Sequence, residues 1–171
     1  IQTLDGQPVR PVIHDISWDP ISAAKGEYRH FMQKEIFEQA RSLTDTIRGR
    51  VDFAAGEVYL EDMQLTAERA RSFDRVVIVA CGTAAYAALV GKFMLEKIVR
   101  IPVEVEYASE LRYRNPIIEE GAVVIAVSQS GETADTLAAV REVKEKGAMV
   151  LGIVNSVGSA IPKETDAGVY S

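Results

Sequence analysis

The segment Ser128-Gln129-Ser130-Gly131-Glu132-Thr133 places three hydroxyls, an amide and a glycine within six residues. It follows the apolar run Ala122 to Val127 and opens a helical pattern. That combination suits a phosphate monoester, which carries about −1.5 to −2 charges at neutral pH and needs several donors converging on three oxygens. Ser128, Ser130 and Thr133 supply hydroxyls, and Gln129 supplies an amide. Gly131 lets the backbone approach a ligand closely. A helix N-terminus adds unsatisfied N–H groups and the positive end of a dipole. Such a site needs no Lys or Arg. The same residues also read as an ordinary helix N-cap with turn-forming serines.

A second segment, Cys81-Gly82-Thr83-Ala84, sits in the same relation to an apolar run. Thr83 offers a hydroxyl and Gly82 permits close approach. Alone, a tight strand–helix turn explains it equally well. Two such loops after two parallel strands point to a shared pocket. A catalytic thiol at Cys81 would need an activating base. His14 and His30 lie outside both loops, so Cys81 reads as small and buried and His30 as structural. Neither Gly-x-x-x-x-Gly-Lys-Ser/Thr nor Gly-x-Gly-x-x-Gly occurs. The one cysteine and two histidines form no zinc pattern, and no metal or cofactor is expected.

The elements that must position these loops are legible as hydrophobic patterns. Val76 to Ala80, Ala122 to Val127 and Met149 to Val154 are continuous apolar runs, as expected for strands buried on both faces. Helices are predicted over about 83–99, 109–114 and 132–146, with a strand at Val103 to Tyr107 and the start of another at 168–171. Lys92, Glu96 and Arg100 form a polar stripe on the first of these helices, and Gly147 stops the last. Ser109 to Arg114 reads as a solvated or subunit-facing helix. Upstream, Pro8, Pro11 and Pro20 exclude a regular helix. A long helical pattern then runs from a cap at Ser22 to about Ile47 and carries Tyr28, Phe31, Met32 and Ile36. Residues 51–63 are ambiguous, and a short helix is expected around 65–72. Strand–helix alternation with apolar strands implies an α/β three-layer sandwich, a parallel sheet with helices on both faces. Ligands in such sheets bind at the carboxyl ends of the strands, where the strand order reverses.

The 171 residues suffice for one sizeable domain plus an extension. Hydrophobic residues make up 47% and charged residues 26%, ordinary for a soluble globular protein. The net charge of −6 disfavours nucleic-acid binding. No signal peptide and no apolar run of about 18 residues is present, so no membrane is expected and the cytoplasm is the default compartment. The chain starts without Met and stops within an apolar alternation, which suggests excision from a longer protein.

Three stretches carry a family resemblance: Cys81-Gly82-Thr83, Ala108 to Arg114, and Ser128 to Thr136. They resemble the sugar isomerase (SIS) half of the glutamine–fructose-6-phosphate aminotransferase family. Tyr28 to Ile36 is similar to the segment that joins the family's glutaminase domain to its isomerase half. The resemblance implies residues 1–20 as the tail of a glutaminase domain, 21–73 as a helical extension and 74–171 as a SIS domain with a flavodoxin-like sheet. It implies that Thr83, Ser128, Gln129, Ser130 and Thr133 hold the phosphate and nearby oxygens of fructose 6-phosphate. Ala84 stands where relatives often carry Ser, so only its backbone N–H can contribute. The family's glutamate base, ring-opening histidine and Schiff-base lysine come from beyond this chain, so no catalytic residue is expected within it. Further implications are a homodimer, glucosamine 6-phosphate as product, and a glutaminase domain and second SIS subdomain as partners in the same polypeptide. The competing reading is a non-catalytic SIS sensor that controls transcription. It would call for a helix-turn-helix where residues 1–70 instead show an extended, proline-containing chain and one long helix. A flavodoxin-like signalling domain would need an acidic phosphoacceptor at strand ends that here carry hydroxyls.

Overall fold

A computed structural model describes residues 2–10, 23–60 and 63–171. The chain divides into two compact units, Ile1–Arg48 and Gly49–Ser171. In the first unit, helix α1 spans Phe31–Ile47. The continuous pattern suggested a start near Ser22, which lies outside the described residues. The helix begins later because Gly26 adopts φ +65° in a turn, and His30 is extended at the N-cap. Tyr28 therefore precedes the helix and stacks on Phe37, with ring centroids 5.9 Å apart. Lys34 Nζ donates to the Ala24 carbonyl at 2.6 Å, which ties the turn to the helix.

The second unit opens with a short hairpin, β1 (Val51–Asp52) against β2 (Glu57–Val58), where the sequence pattern was ambiguous. The Asp52 carboxylate accepts from the N–H groups of Ala54 and Ala55 and holds the turn. Helix α2 (Ala67–Arg71) is capped by Thr66, whose hydroxyl accepts from Arg69 N–H.

Five strands then form one parallel sheet: β3 (Arg75–Ala80), β4 (Val103–Tyr107), β5 (Ala122–Ser128), β6 (Met149–Val154) and β7 (Ala167–Tyr170). Their order is β4-β3-β5-β6-β7, the flavodoxin-like arrangement. Helices α3 (Gly82–Ile98), α4 (Ala108–Arg114), α5 (Ala134–Glu145) and α6 (Ala160–Glu164) connect them.

Strand alternation divides the core in two. Val77, Val79, Val124 and Ala126 face a layer built from Ala108 and Leu111 of α4, Val140 and Val143 of α5, and Ile161 of α6. Val76, Ile78 and Val123 face the other way, onto Ala88 and Leu95 of α3 and onto Met63, Leu65 and Phe73. The result is the expected three-layer sandwich. Leu111, in the segment read as solvated, is 1% exposed because it fills the first of these layers, while Tyr113 beside it is exposed.

The polar stripe on α3 has a job at the helix end. Lys92 Nζ pairs with Glu96 Oε1 at 2.9 Å and donates to the Val103 carbonyl, while Val103 N–H donates to Glu96. Together they fix the start of β4. The Lys92 hydrogen bond, then the Val103 N–H, hold the Glu96 carboxyl below its usual range. The contribution is therefore complete above the unfolded value of about 4.3 and is lost as the pH falls through the lower folded one.

Replacing Leu111 by Ala should cost about 2–5 kcal/mol in urea unfolding, the range for large-to-small core changes. Tyr113→Ala should cost no more than about 0.5 kcal/mol. Equal effects would contradict the burial assigned to α4.

Candidate functional site

The strand order reverses at β3: the chain steps to one side for β4 and to the other for β5. Helices α3 and α5, which follow β3 and β5, therefore start side by side over the carboxyl edge of the sheet. A cavity of about 340 Å³ lies there, lined by Thr83, Ala84, Ala87, Val127, Ser128, Gln129, Ile153, Asn155 and Ser171. Its volume falls in the ordinary range for small-molecule sites. No Lys, Arg, Asp or Glu is among these lining residues. An anion bound here would meet hydroxyls, amides and helix N-termini.

The serine loop is locally self-organised. Ser128 is 4% exposed, and its hydroxyl accepts from Gly131 N–H at 3.1 Å. It also meets the Thr133 hydroxyl at 3.2 Å. Ser130 Oγ accepts from Glu132 N–H at 3.2 Å. Thr133 occupies the N-cap of α5, yet its side chain caps no backbone N–H. The N-cap of α3, Cys81, makes no side-chain cap either. Both helices thus begin without a side-chain cap on their first-turn donors, and the first turn of α3 lines the cavity.

The two loops are tied to one another. Thr136, fully buried in the first turn of α5, donates to Cys81 Sγ at 3.8 Å. Cys81 is half-buried, less enclosed than its sequence suggested, and packs against the α5 side of the core. On the far side of α5, Arg112 Nη1 meets Asp135 Oδ1 at 2.7 Å, a bond that raises the guanidinium pKa further. Asp135 also lies in the first turn of α5, where a carboxylate complements the dipole.

Gly131 shows why the loop contains a glycine. Its φ is +66°, and a Cβ there would lie 1.9 Å from Ser159 Oγ and 2.7 Å from Val154 Cγ1. The close approach is therefore to the segment after β6, within the protein.

The SIS domain family model matches residues 71–171. The chain belongs to the SIS domain family. A glutamine–fructose-6-phosphate aminotransferase (isomerizing) of Symbiobacterium thermophilum is 49% identical over 171 residues, 100% of this chain and 28% of that protein. The protein of the same name from Bacteroides thetaiotaomicron is 54% identical over 146 residues, 85% of this chain and 24% of that one. The chain spans about 28% of the length of the first curated relatives it matches. Among solved structures, the C-terminal domain of glucosamine-fructose-6-phosphate aminotransferase from Francisella tularensis gives a TM-score of 0.72 at 34% identity, covering 86% of this chain and 40% of that one. The sugar isomerase domain of an RpiR transcription factor from Sphaerobacter thermophilus gives 0.62 at 19% identity over 82% of this chain and 74% of that one, a likeness of fold.

Of the expected site residues, this SIS domain brings Thr83, Ala84, Ser128 and Gln129 to one cavity. Thr133 reaches it only through its contact with Ser128. Ser130 is exposed and outside the lining. Asn155 and Ser171 line the cavity without having been singled out. The rule that ligands gather at strand carboxyl ends could have found Asn155, since it directly follows β6. Glu132 does not sit in the first turn of α5, as the pattern suggested, but two residues before the helix. It is exposed, and Oε1 accepts from Ala160 N–H at 2.8 Å. A larger cleft of about 530 Å³ lies at the amino ends of the strands, between Phe73, Gly121, Lys146 and Met149. It has neither converging helix N-termini nor a topological switch point. Among the described residues no cluster of His, Cys, Asp and Glu could hold a metal, and no helix is long and apolar enough to cross a membrane.

Gly131→Ala should destabilise the SIS domain by about 1–3 kcal/mol through its left-handed backbone, with a steric cost added. Combining it with Ser159→Gly should recover only the steric part due to Ser159, since the contact with Val154 Cγ1 remains. Urea unfolding checks both, and an unchanged midpoint for Gly131→Ala would contradict the packing.

Proposed function

We propose that this chain is the first sugar-isomerase unit of a glutamine–fructose-6-phosphate aminotransferase, and that it anchors the phosphate of fructose 6-phosphate. The carrying observation is the convergence of Thr83 and Ala84 with Ser128 and Gln129 on one uncharged cavity at the switch point of the sheet. Identities of 46–54% to enzymes of that name support it, against 19% to the RpiR domain. In this reading Thr83, Ser128, Gln129, Ser130 and Thr133 supply hydroxyls and an amide, and Ala84 supplies its N–H. The phosphate takes the positive ends of α3 and α5.

Turning the ketose phosphate into glucosamine 6-phosphate moves a proton between adjacent carbons and needs a positioned base. The cavity lining holds none. The base, the ring-opening acid and the amine-handling group are assigned to a second SIS subdomain or the C-terminal tail beyond it, and ammonia to a glutaminase domain whose tail is residues 1–20, with 21–73 as the connection. The reaction needs no cofactor in this scheme. The whole enzyme would work in the cytoplasm as a homodimer. Exposed apolar side chains motivate the association: Tyr86, Val90, Phe93 and Met94 on the outer face of α3, and Phe31, Met32, Ile36 and Phe37 on α1.

Calorimetry tests the anchor. Fructose 6-phosphate and glucosamine 6-phosphate should bind, and free fructose should not. A hydrogen bond to a charged group contributes about 1.5–3 kcal/mol, so Thr83→Val should weaken binding by roughly tenfold or more. Ser128→Ala should cost more, because Gly131 N–H also loses its acceptor. Equal affinity for free fructose would refute the anchor. Incubation with fructose 6-phosphate in deuterated water should put no deuterium on carbon 1. Incorporation abolished by Glu132→Gln would place the base in this chain.

A further inference from the structure

The serine loop does not stand alone: the segment after β6 holds it on one side. Ser156 N–H donates to the Gln129 carbonyl at 3.2 Å, and Ile161 N–H donates to the Gly131 carbonyl at 2.9 Å. Ala160 N–H donates to the Glu132 carboxylate at 2.8 Å. Ser159, 6% exposed, packs on Gly131 so tightly that no Cβ fits between them, and its hydroxyl donates to the Ser156 carbonyl at 2.7 Å. Residues 129, 131 and 132 thus each give an acceptor to residues 156–161.

The pattern has an electrostatic consequence. A loop that receives a dianion must present donors, and any carbonyl or carboxylate turned toward the ligand would repel it. Here those acceptors are satisfied by N–H groups of the neighbouring segment. Glu132 bears the only full charge in the six-residue loop. Left unheld beside a phosphate, it would oppose binding. Held on Ala160 N–H, at the start of α6, it instead fixes the loop's far end relative to β6.

We infer that Glu132 is a positioning residue: its carboxylate, bonded to Ala160 N–H, holds the serine loop in the shape that receives phosphate. This rests on the reading of the loop as a phosphate anchor. Charge and position predict opposite outcomes. If only charge matters, any neutral replacement tightens binding. If position matters, the acceptor oxygen is what must survive.

The test uses fructose 6-phosphate as the probe, with calorimetry on the unaltered chain, Glu132→Gln and Glu132→Ala. Glu132→Gln keeps an oxygen that can accept from Ala160 N–H, so it should bind as tightly as the unaltered chain or more tightly. Glu132→Ala should bind roughly tenfold more weakly, the scale of one charge-assisted hydrogen bond. Amide hydrogen exchange on the same proteins gives a readout independent of ligand. Ala160 and the amides of 129–133 should exchange faster in Glu132→Ala and stay protected in Glu132→Gln, with β5 unchanged in both. Affinity in Glu132→Ala equal to or above that of the unaltered chain would overturn the inference. So would an equal loss in Glu132→Gln. Failure of the unaltered chain to bind fructose 6-phosphate would instead overturn the anchor itself, and the inference with it.

Discussion

The reversal of strand order at β3 is the constraint on which the rest of the site depends. A parallel sheet sends every connecting helix back from a strand's carboxyl end, so each helix begins at the same edge. Only where order reverses do two helices leave in opposite directions and open a crevice between their N-termini. In this chain the two are α3 and α5, and the cavity lined by the start of α3 and the Ser128-Gln129 turn contains no ionisable side chain. An acidic protein of net charge −6 can attract a phosphate there only through local dipoles and hydroxyls. Such donors act over short distances, so their placement matters more than their number.

The loops are braced in a way that would meet that demand. Thr136 bonds Cys81, so the starts of α3 and α5 are held to each other. Arg112 grips Asp135 from α4, on the side away from α3. Residues 156–161 take up the acceptors of the serine loop. Each brace comes from a different connection of the sheet, and each contacts the loop or first turn next to the cavity. The fold thus supplies the rigidity that a guanidinium or ammonium would otherwise replace with charge.

The sheet was legible in the sequence because its central strands are buried on both faces. Val76 to Ala80 and Ala122 to Val127 have no polar residue to obscure them, and the loops after them fall where such strands must end. The hydroxyls of Thr83 and Ser128 followed from that placement. Other features were not legible. Glu132 looked like a first-turn acid, since nothing in the linear pattern places Ala160 N–H beside it. Leu111 sits among Glu110, Arg112 and Arg114, so local composition hid its burial. The start of α1 was placed too early because Gly26 and His30 interrupt a periodicity that continues through Tyr28. In each case a tertiary contact or a single backbone angle decided the outcome, and a spacing rule registers neither.

The central claim is that a phosphate sits between the N-termini of α3 and α5. Amide chemical shifts followed during titration with fructose 6-phosphate test it most directly. The account predicts the largest shifts at Thr83, Ala84, Gln129 and Ala134, with the phosphorus resonance moving in step. Shifts centred instead on Gly121, Lys146 and Met149, at the amino-end cleft, would contradict it.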